Sequence, residues 1–236
     1  MMYTLLITRP EPDASDMAAL CVKYALNPIV CPVMQIVSVP LDAPLPQYDG
    51  IILTSPHAMS EYVLASLPAG SVFHVVGERC AEKIRLLGFT VATQCTSAAA
   101  LRDTLMASLP AKHRLLYLSG EHITLDMAHD LALRSIACTR VITYRAVAIP
   151  ALRAEAITAI NARPAPFVFF GSIRAVHLFA ELVGDARSIA KLRTLCLSAK
   201  IAAAARQLGF ADGYYADNPS IPQLLSGFCA TDCMNP

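Results

Sequence analysis

Charge is scarce in this sequence. Only 16% of its 236 residues are charged and the formal net charge is +1, against about 25% charged residues in an ordinary soluble domain. With 19 basic residues against 18 acidic ones there is no overall basic field, which excludes bulk electrostatic binding to nucleic acid. The commonest α/β signatures are missing too. There is no G-x-G-x-x-G and no G-x-x-x-x-G-K-[ST], so dinucleotide and Walker-type binding have no loop to use. A G-x-S-x-G nucleophile elbow is also lacking, which argues against an α/β-hydrolase. None of the eight cysteines forms a C-x-x-C pair, and Cys229 and Cys233 have no histidine nearby; neither a zinc site nor a redox dithiol is expected, and no metal.

No clean membrane-length apolar run exists either. The longest charge-free stretch, Tyr24 to Leu41, is interrupted by Pro28, Pro32 and Pro40 and carries Asn27, Gln35 and Ser38. Its centre alternates, Val33, Gln35 and Val37 against Met34, Ile36 and Ser38, which reads as a strand. The start, MMYTLLITRP, has no basic residue ahead of its apolar run and no small-residue cleavage site, so a first strand is expected there, not a signal peptide. The expectation is a soluble cytoplasmic protein without a membrane partner, its cysteines reduced and mostly buried.

What the sequence does have is 55% hydrophobic residues, which excludes intrinsic disorder, arranged as short apolar runs alternating with helical patterns. That alternation is the mark of parallel α/β architecture. Strands are expected at 3–8, 28–33, 50–54, 72–76, 90–93, 114–118, 137–144, 167–170, 194–197 and 213–215. Helices are expected at 12–26, 57–66, 78–87, 98–107, 123–133, 151–161, 173–182, 199–208 and 221–228. Most of the strands are continuously apolar, as when helices cover both faces of a sheet. Three strand–turn–helix units also recur in order: TSPHA (Thr54–Ala58) matches GSIRA (Gly171–Ala175), Val75–Phe89 matches Cys196–Phe210, and Ser97–Leu101 matches Ser220–Leu224. Two similar lobes are implied. The extended segments Pro28–Pro46 and Val141–Pro150 would carry the chain across and back, giving one discontinuous lobe of residues 1–36 plus 153–236 and a second of residues 37–152. A ligand site is expected between them.

The informative positions lie where strands end and helices begin: Thr54-Ser55-Pro56, Gly77, Ser97, Gly120, Ser172, Ser198 and Ser220. Most such residues simply cap helices. In open parallel sheets, however, this is the edge at which ligands bind, and helix N-termini offer N–H groups to carboxylate or phosphate. Cations near the same edge are Arg9, Arg79, Arg174 and Lys200, with His57 a further candidate. The stripe His122, Asp126, His129, Asp130 reads as a solvated polar face. Tyr144 ends an apolar strand where the chain should recross. A phenol is protonated at neutral pH and can donate to a leaving hydroxyl.

Taken together, LLITRP (Leu5–Pro10), YDGIILTSPHAM (Tyr48–Met59), FHVVGERCAEKIRLLGF (Phe73–Phe89), LLYLSG (Leu115–Gly120), VITYRAV (Val141–Val147), FVFFGSIRAV (Phe167–Val176), CLSAKIAAAARQLGF (Cys196–Phe210) and NPSIPQLL (Asn218–Leu225) resemble the uroporphyrinogen-III synthase family over nearly the whole chain. The resemblance implies two flavodoxin-like parallel-sheet lobes joined by a two-stranded hinge. It implies a cyclising lyase of haem biosynthesis that converts the linear tetrapyrrole hydroxymethylbilane to uroporphyrinogen III, with loss of water and inversion of ring D, without a cofactor. Tyr144 matches the tyrosine proposed to assist departure of the hydroxyl. Thr54, Ser55, Pro56 and Gly77 match substrate-facing turns of one lobe, and Ser172, Ser198 and Ser220 those of the other. His57, Ile173 and Cys80 depart from residues frequent in the family, which carries arginine, proline and threonine there. The partner would be a small polycarboxylate and the protein a monomer. A non-enzymatic two-lobed binder or sensor of a polyanion is the alternative, although it gives Tyr144 no role; a flavodoxin-like electron carrier ranks third, for want of a flavin-phosphate loop.

Overall fold

The computed structural model describes residues 2–216 and 220–232; Cys233 and Pro219 lie outside the described residues. In chain order the elements are β1 (Thr4–Ile7), α1 (Asp13–Lys23), β2 (Asn27–Val30), β3 (Met34–Ser38), β4 (Gly50–Leu53), α2 (Glu61–Ser66), β5 (Val72–Val76), α3 (Glu78–Leu86), β6 (Thr90–Cys95), α4 (Ala98–Ser108) and β7 (Arg114–Gly120). They continue with α5 (Met127–Ala132), β8 (Ala137–Ala148), α6 (Ala154–Asn161), β9 (Phe167–Phe170), α7 (Ile173–Val183), α8 (Ala186–Ile189), β10 (Arg193–Cys196), α9 (Ala199–Gln207), β11 (Ala211–Tyr215) and α10 (Ile221–Asp232).

The chain forms two compact units, Met1–Gln35 with Val147–Pro236 (unit 1) and Ile36–Ala146 (unit 2). Residues 147–152, expected with the second lobe, fall with unit 1, where the Ile149 N–H donates to the Val33 carbonyl. The chain leaves unit 1 within β3 and returns within β8, and these strands are neighbours in one sheet. Val39 donates to Thr143 and Ile149 to Val33; the partner number falls as the residue number rises, so the pair is antiparallel.

Unit 1 holds a five-stranded sheet in the order β11-β10-β9-β1-β2, every pair parallel. The second sheet runs β3-β8-β7-β4-β5-β6, parallel from β8 to β6. The triple β9-β10-β11 and the triple β4-β5-β6 are equivalent, flanked by β1-β2 in one sheet and β7-β8 in the other. The strands are therefore laid side by side in the same way, but the flanking pair comes first in the chain in unit 1 and last in unit 2: one sheet is a circular permutation of the other. This is the structural content of the repeated strand–turn–helix units. In each sheet the order reverses at one point, between β1 and β9 and between β7 and β4, where doubly wound sheets open a ligand crevice at their carboxyl edge.

Burial accounts for the strands. Leu5 and Ile7 of β1, Phe167 and Phe169 of β9 and Leu195 of β10 share a core with Met17 and Cys21 of α1 and Leu224, Leu225 and Phe228 of α10. In unit 2 the alternation of side chains splits the sheet between two cores, Ile51, Leu53, Phe73, Val75, Leu116 and Leu118 on one face and Ile52, Leu115 and Tyr117 on the other. Continuous apolar runs thus coat both faces, as buried parallel strands require.

Several elements are cut shorter than the periodicity suggested, each for a local reason. The helix expected over 57–66 is two pieces: a 3-10 turn at Pro56–Ala58, then α2, because Ser60 adopts extended backbone and accepts from Val63 N–H as a new cap. The helix expected over 123–133 begins only at Met127, where Asp126 accepts from the His129 N–H. The first helix stops at Lys23, since Ala25 takes a positive φ of 55°. Strand β8 runs on past Tyr144 to Ala148, and the short α8 has no counterpart among the expected helices. No helix of the described residues is long and apolar enough to cross a membrane.

Candidate active site

In unit 2 the carboxyl edge at the switch point gathers Thr54, His57, Gly120 and Tyr144. Thr54 follows β4 directly, and its Oγ1 lies 3.1 Å from the Tyr117 hydroxyl on β7. Tyr117 is buried, and burial pushes its phenol above the ordinary value, partly offset by the Thr54 hydrogen bond. Ser55 caps the 3-10 turn, its Oγ accepting from His57 N–H at 3.3 Å, with Pro56 in the first position, where no N–H is needed. The turn sets the His57 ring 5.8 Å from the Tyr144 ring, tilted by 57°. Tyr144 is half-buried and packs against the Ile51/Leu53/Leu118 core. It pairs in register with Gly120 across an irregularity in the β7–β8 ladder, and its carbonyl accepts from the Glu121 N–H.

Two cations that the sequence did not single out hold this edge from behind. Lys83 of α3 donates from Nζ to the Pro56 carbonyl at 2.7 Å and to the Met59 carbonyl at 3.2 Å. Burial lowers its pKa from the ordinary lysine value. Arg140 of β8 donates to Ser119 Oγ at 2.9 Å and to the Gly120 and Glu121 carbonyls, each at 2.7 Å. Arg140 stands among Thr139, Val141 and Ile142 with a second arginine, Arg145, in the same strand, so nothing in the local pattern marked it. Tyr117 had only the general rule that a buried phenol needs a hydrogen-bond partner.

The remaining unit 2 candidates stand apart from this cluster. Gly77 opens α3 at φ 78°, a backbone region that suits glycine, and its N–H donates to Cys95 O. Ser97 is exposed and caps α4, accepting from Ala100 N–H.

In unit 1 the same edge of the switch point carries a cavity of about 230 Å³ lined by Thr8, Arg9, Asp13, Met34, Gly171 and Ser172, among others. Thr8 Oγ1 donates to the Phe169 carbonyl at 2.6 Å, tying the ends of β1 and β9 together. Arg9 and Ser172 are thus brought to one pocket, but the Arg9 guanidinium is paired with the buried Asp13 carboxylate of α1. Ser172, Ser198 and Ser220 each cap a helix, accepting from Ala175, Ile201 and Gln223 N–H respectively. Gln223 returns the contact to the Ser220 N–H, a capping box. Arg174 is exposed on the first turn of α7. Every hydroxyl read as an anion contact except Thr54 is therefore a helix cap, while the N–H groups of each helix's first turn still point toward the carboxyl edge.

The polar stripe resolves into structural pairs: Asp126 caps α5 and Asp130 binds Arg102 at 3.0 Å. Among the described residues no group of His, Cys, Asp or Glu is arranged to hold a metal ion. The seven described cysteines are free thiols. Burial pushes Cys21 and Cys138 up to about 12 and Cys31, Cys80 and Cys196 up to about 11, which makes them poor nucleophiles at neutral pH.

Two doubly wound α/β units, each with a switch point at its carboxyl edge and neither with a nucleotide loop, define a class of two-unit parallel α/β protein. Within that class the chain belongs to the uroporphyrinogen-III synthase HemD family, whose sequence profile matches residues 15–226, and it is a cyclising lyase of haem biosynthesis. Among solved structures it resembles uroporphyrinogen-III synthetase from Helicobacter pylori at a TM-score of 0.65 and 16% identity, over 97% of this chain and 99% of that one. It also resembles a mutant uroporphyrinogen III synthase from Thermus thermophilus at a TM-score of 0.55 and 16% identity, over 97% of this chain and 98% of that one. No curated protein matches the sequence.

Proposed function

We propose that Tyr144 is the acid of the ring closure by which hydroxymethylbilane becomes uroporphyrinogen III. The pyrrole nitrogen next to the hydroxymethyl carbon pushes its electron pair, the carbon–oxygen bond breaks, and the leaving oxygen takes a proton to depart as water. A tyrosine hydroxyl beside that oxygen supplies the hydrogen bond or proton that makes it a better leaving group. The azafulvene left behind is attacked by the substituted carbon of ring D; the resulting spiro intermediate breaks that carbon's older bond to its methylene bridge, and the bridge is then attacked by the free α-carbon of ring D, which loses its proton as the ring closes with ring D inverted. The chemistry is carried by the pyrroles themselves, so the protein's task is to hold the chain in a reactive geometry.

The observation that carries this reading is the seat of Tyr144, half-buried, opposite Gly120 and against His57 at the switch-point edge. Thr54, Ser55, Pro56, Gly77 and Ser97 in unit 2, and Arg9, Ser172, Arg174, Ser198 and Ser220 in unit 1, are read as the carboxylate-facing edge. There the first-turn N–H groups of the helices receive the acid groups of the substrate. A chain with so few basic residues can bind a polycarboxylate in this way without a broad positive field. The protein acts as a monomer in the cytoplasm.

The test is incubation with freshly generated hydroxymethylbilane and chromatographic separation of the type I and type III isomers. Type III product is expected; the spontaneous type I isomer alone would overturn the synthase reading. Tyr144→Phe should keep the fold and lower kcat by about a hundredfold or more, and an unchanged kcat removes Tyr144 from the chemistry.

A further inference from the structure

We infer that Lys83 is a positioning residue for the reaction: it clamps the Pro56–Met59 turn and thereby fixes the His57 ring against Tyr144. The inference rests on the role proposed for Tyr144 and adds to it a residue from a different element. The 3-10 turn is three residues long, and its own hydrogen bonds are slack. Met59 N–H reaches Pro56 O at 3.4 Å, His57 N–H reaches Ser55 Oγ at 3.3 Å and Ala58 N–H reaches Ser55 O at 3.1 Å. Ordinary N–H···O bonds cluster near 2.9–3.0 Å. The shortest bond on the turn comes from outside it, from Lys83 Nζ to Pro56 O at 2.7 Å, with a second to Met59 O at 3.2 Å. The two carbonyls bracket His57, and a cation at the carbonyl end of a helical turn is favourably placed.

The charge of Lys83 is otherwise uncompensated. Its hydrogen-bond partners are these two carbonyls, and no carboxylate of the described residues pairs with it. A lysine that served stability alone would sit at lower cost with its ammonium in water, since half-burial works against the charged form. Ala58 and Met59 are themselves buried in the unit 2 core, which anchors the turn by a second means. What Lys83 adds is the angle at which the His57 segment meets Tyr144.

Lys83→Met removes the donors and keeps the length of the side chain, while Lys83→Arg retains donors for both carbonyls. Two readouts are taken on each: kcat and KM for type III product, and the proton resonances of the His57 ring, which feel the ring current of Tyr144 whether or not the enzyme turns over. For Lys83→Met the His57 resonances should move toward random-coil positions and kcat fall by about tenfold or more with KM within about twofold, while Lys83→Arg restores both. Unmoved His57 resonances overturn the inference, as does a shift without a fall in kcat, or an Arg variant no better than the Met variant. If Lys83→Met does not fold, Lys83→Gln is read by the same outcomes. Failure of the wild-type protein to make type III product would strike the synthase reading instead, leaving the His57 resonances to judge the clamp.

Discussion

Gly120 and Tyr144 face each other across the β7–β8 ladder so closely that glycine is what makes room for the ring: a β-carbon built at Gly120 would lie 2.6 Å from Tyr144 Cζ and 2.8 Å from its hydroxyl oxygen. No real β-carbon sits so near another heavy atom, so any side chain at position 120 must push the phenol aside. Gly120→Ala should leave β7 intact, because the glycine φ is not in the left-handed region, and should lower kcat by about tenfold or more by moving the acid. Steady-state kinetics beside a thermal melt checks this. A variant with normal kcat would mean that the hydroxyl need not occupy the position seen here.

Thr54 and Tyr117 make a second contact with a predictable cost. The Tyr117 hydroxyl is buried and bonds to Thr54 Oγ1. Thr54→Val keeps the shape but leaves that hydroxyl without its partner, a penalty of about 1–3 kcal/mol. Adding Tyr117→Phe removes the orphaned group, so the double variant should recover most of the loss. Denaturant midpoints for the two single variants and the pair measure the coupling; additive losses would show that the bond contributes nothing to stability.

The pattern of what the sequence revealed follows from where the information sits. Strand ends, serine caps and the Gly77 turn are local: each is decided by residues within a few positions, and TSPHA, the end of LLYLSG and GSIRA could be placed on the carboxyl edge directly. The strand character of Met34–Ser38 was visible in its alternation, and Pro28–Pro46 and Val141–Pro150 were expected to form a two-stranded hinge; what the sequence left open was the antiparallel register, Val39 to Thr143 and Ile149 to Val33, whose partners are more than a hundred residues apart. The same holds for the side chains that organise the site. Lys83 reaches back to Pro56, Arg140 to Ser119 and Tyr117 to Thr54, each between different elements, and no periodicity encodes such pairs. Arg9 was read as a substrate-facing cation; the fold gives it Asp13, the first residue of α1, as an ion-pair partner.

That ion pair makes its own prediction. Asp13 is buried, so Arg9→Gln takes the guanidinium away from a carboxylate in the wall of the unit 1 cavity. Removing one partner of a buried pair costs about 3 kcal/mol, whereas neutralising both is far less harmful. The thermal midpoint should therefore fall in Arg9→Gln and be largely regained in Arg9→Gln/Asp13→Asn. If Arg9 also contacts a substrate carboxylate, KM in the double variant stays raised although stability has returned. An equal loss of stability in the single and double variants would sink the idea that the guanidinium serves chiefly to neutralise Asp13.

His74 is expected to set the acid limit of unit 2. It lies in β5, almost fully buried, with Nδ1 3.0 Å from Thr93 Oγ1 and Nε2 against Gly50, where an added β-carbon would meet it at 2.9 Å. Burial, with a smaller contribution from His113, lowers its pKa from the ordinary 6.5. The folded protein therefore holds the ring neutral where the unfolded chain would already bind a proton. Stability rises with pH wherever the unfolded state binds more protons, so it should be full above the ordinary histidine value and decline as pH falls from there toward the lower folded value. Asp49 and its Arg114 partner do not confuse the measurement: that carboxyl is held down to about 2, so its contribution is lost only below the ordinary carboxylate range, in a separate and more acid window. Urea midpoints measured from about pH 7 down to about pH 5 should slope downward in the wild type and flatten in His74→Gln, which keeps an amide for Thr93 without a titrating ring. Equal slopes in the two proteins would assign the acid sensitivity to other groups.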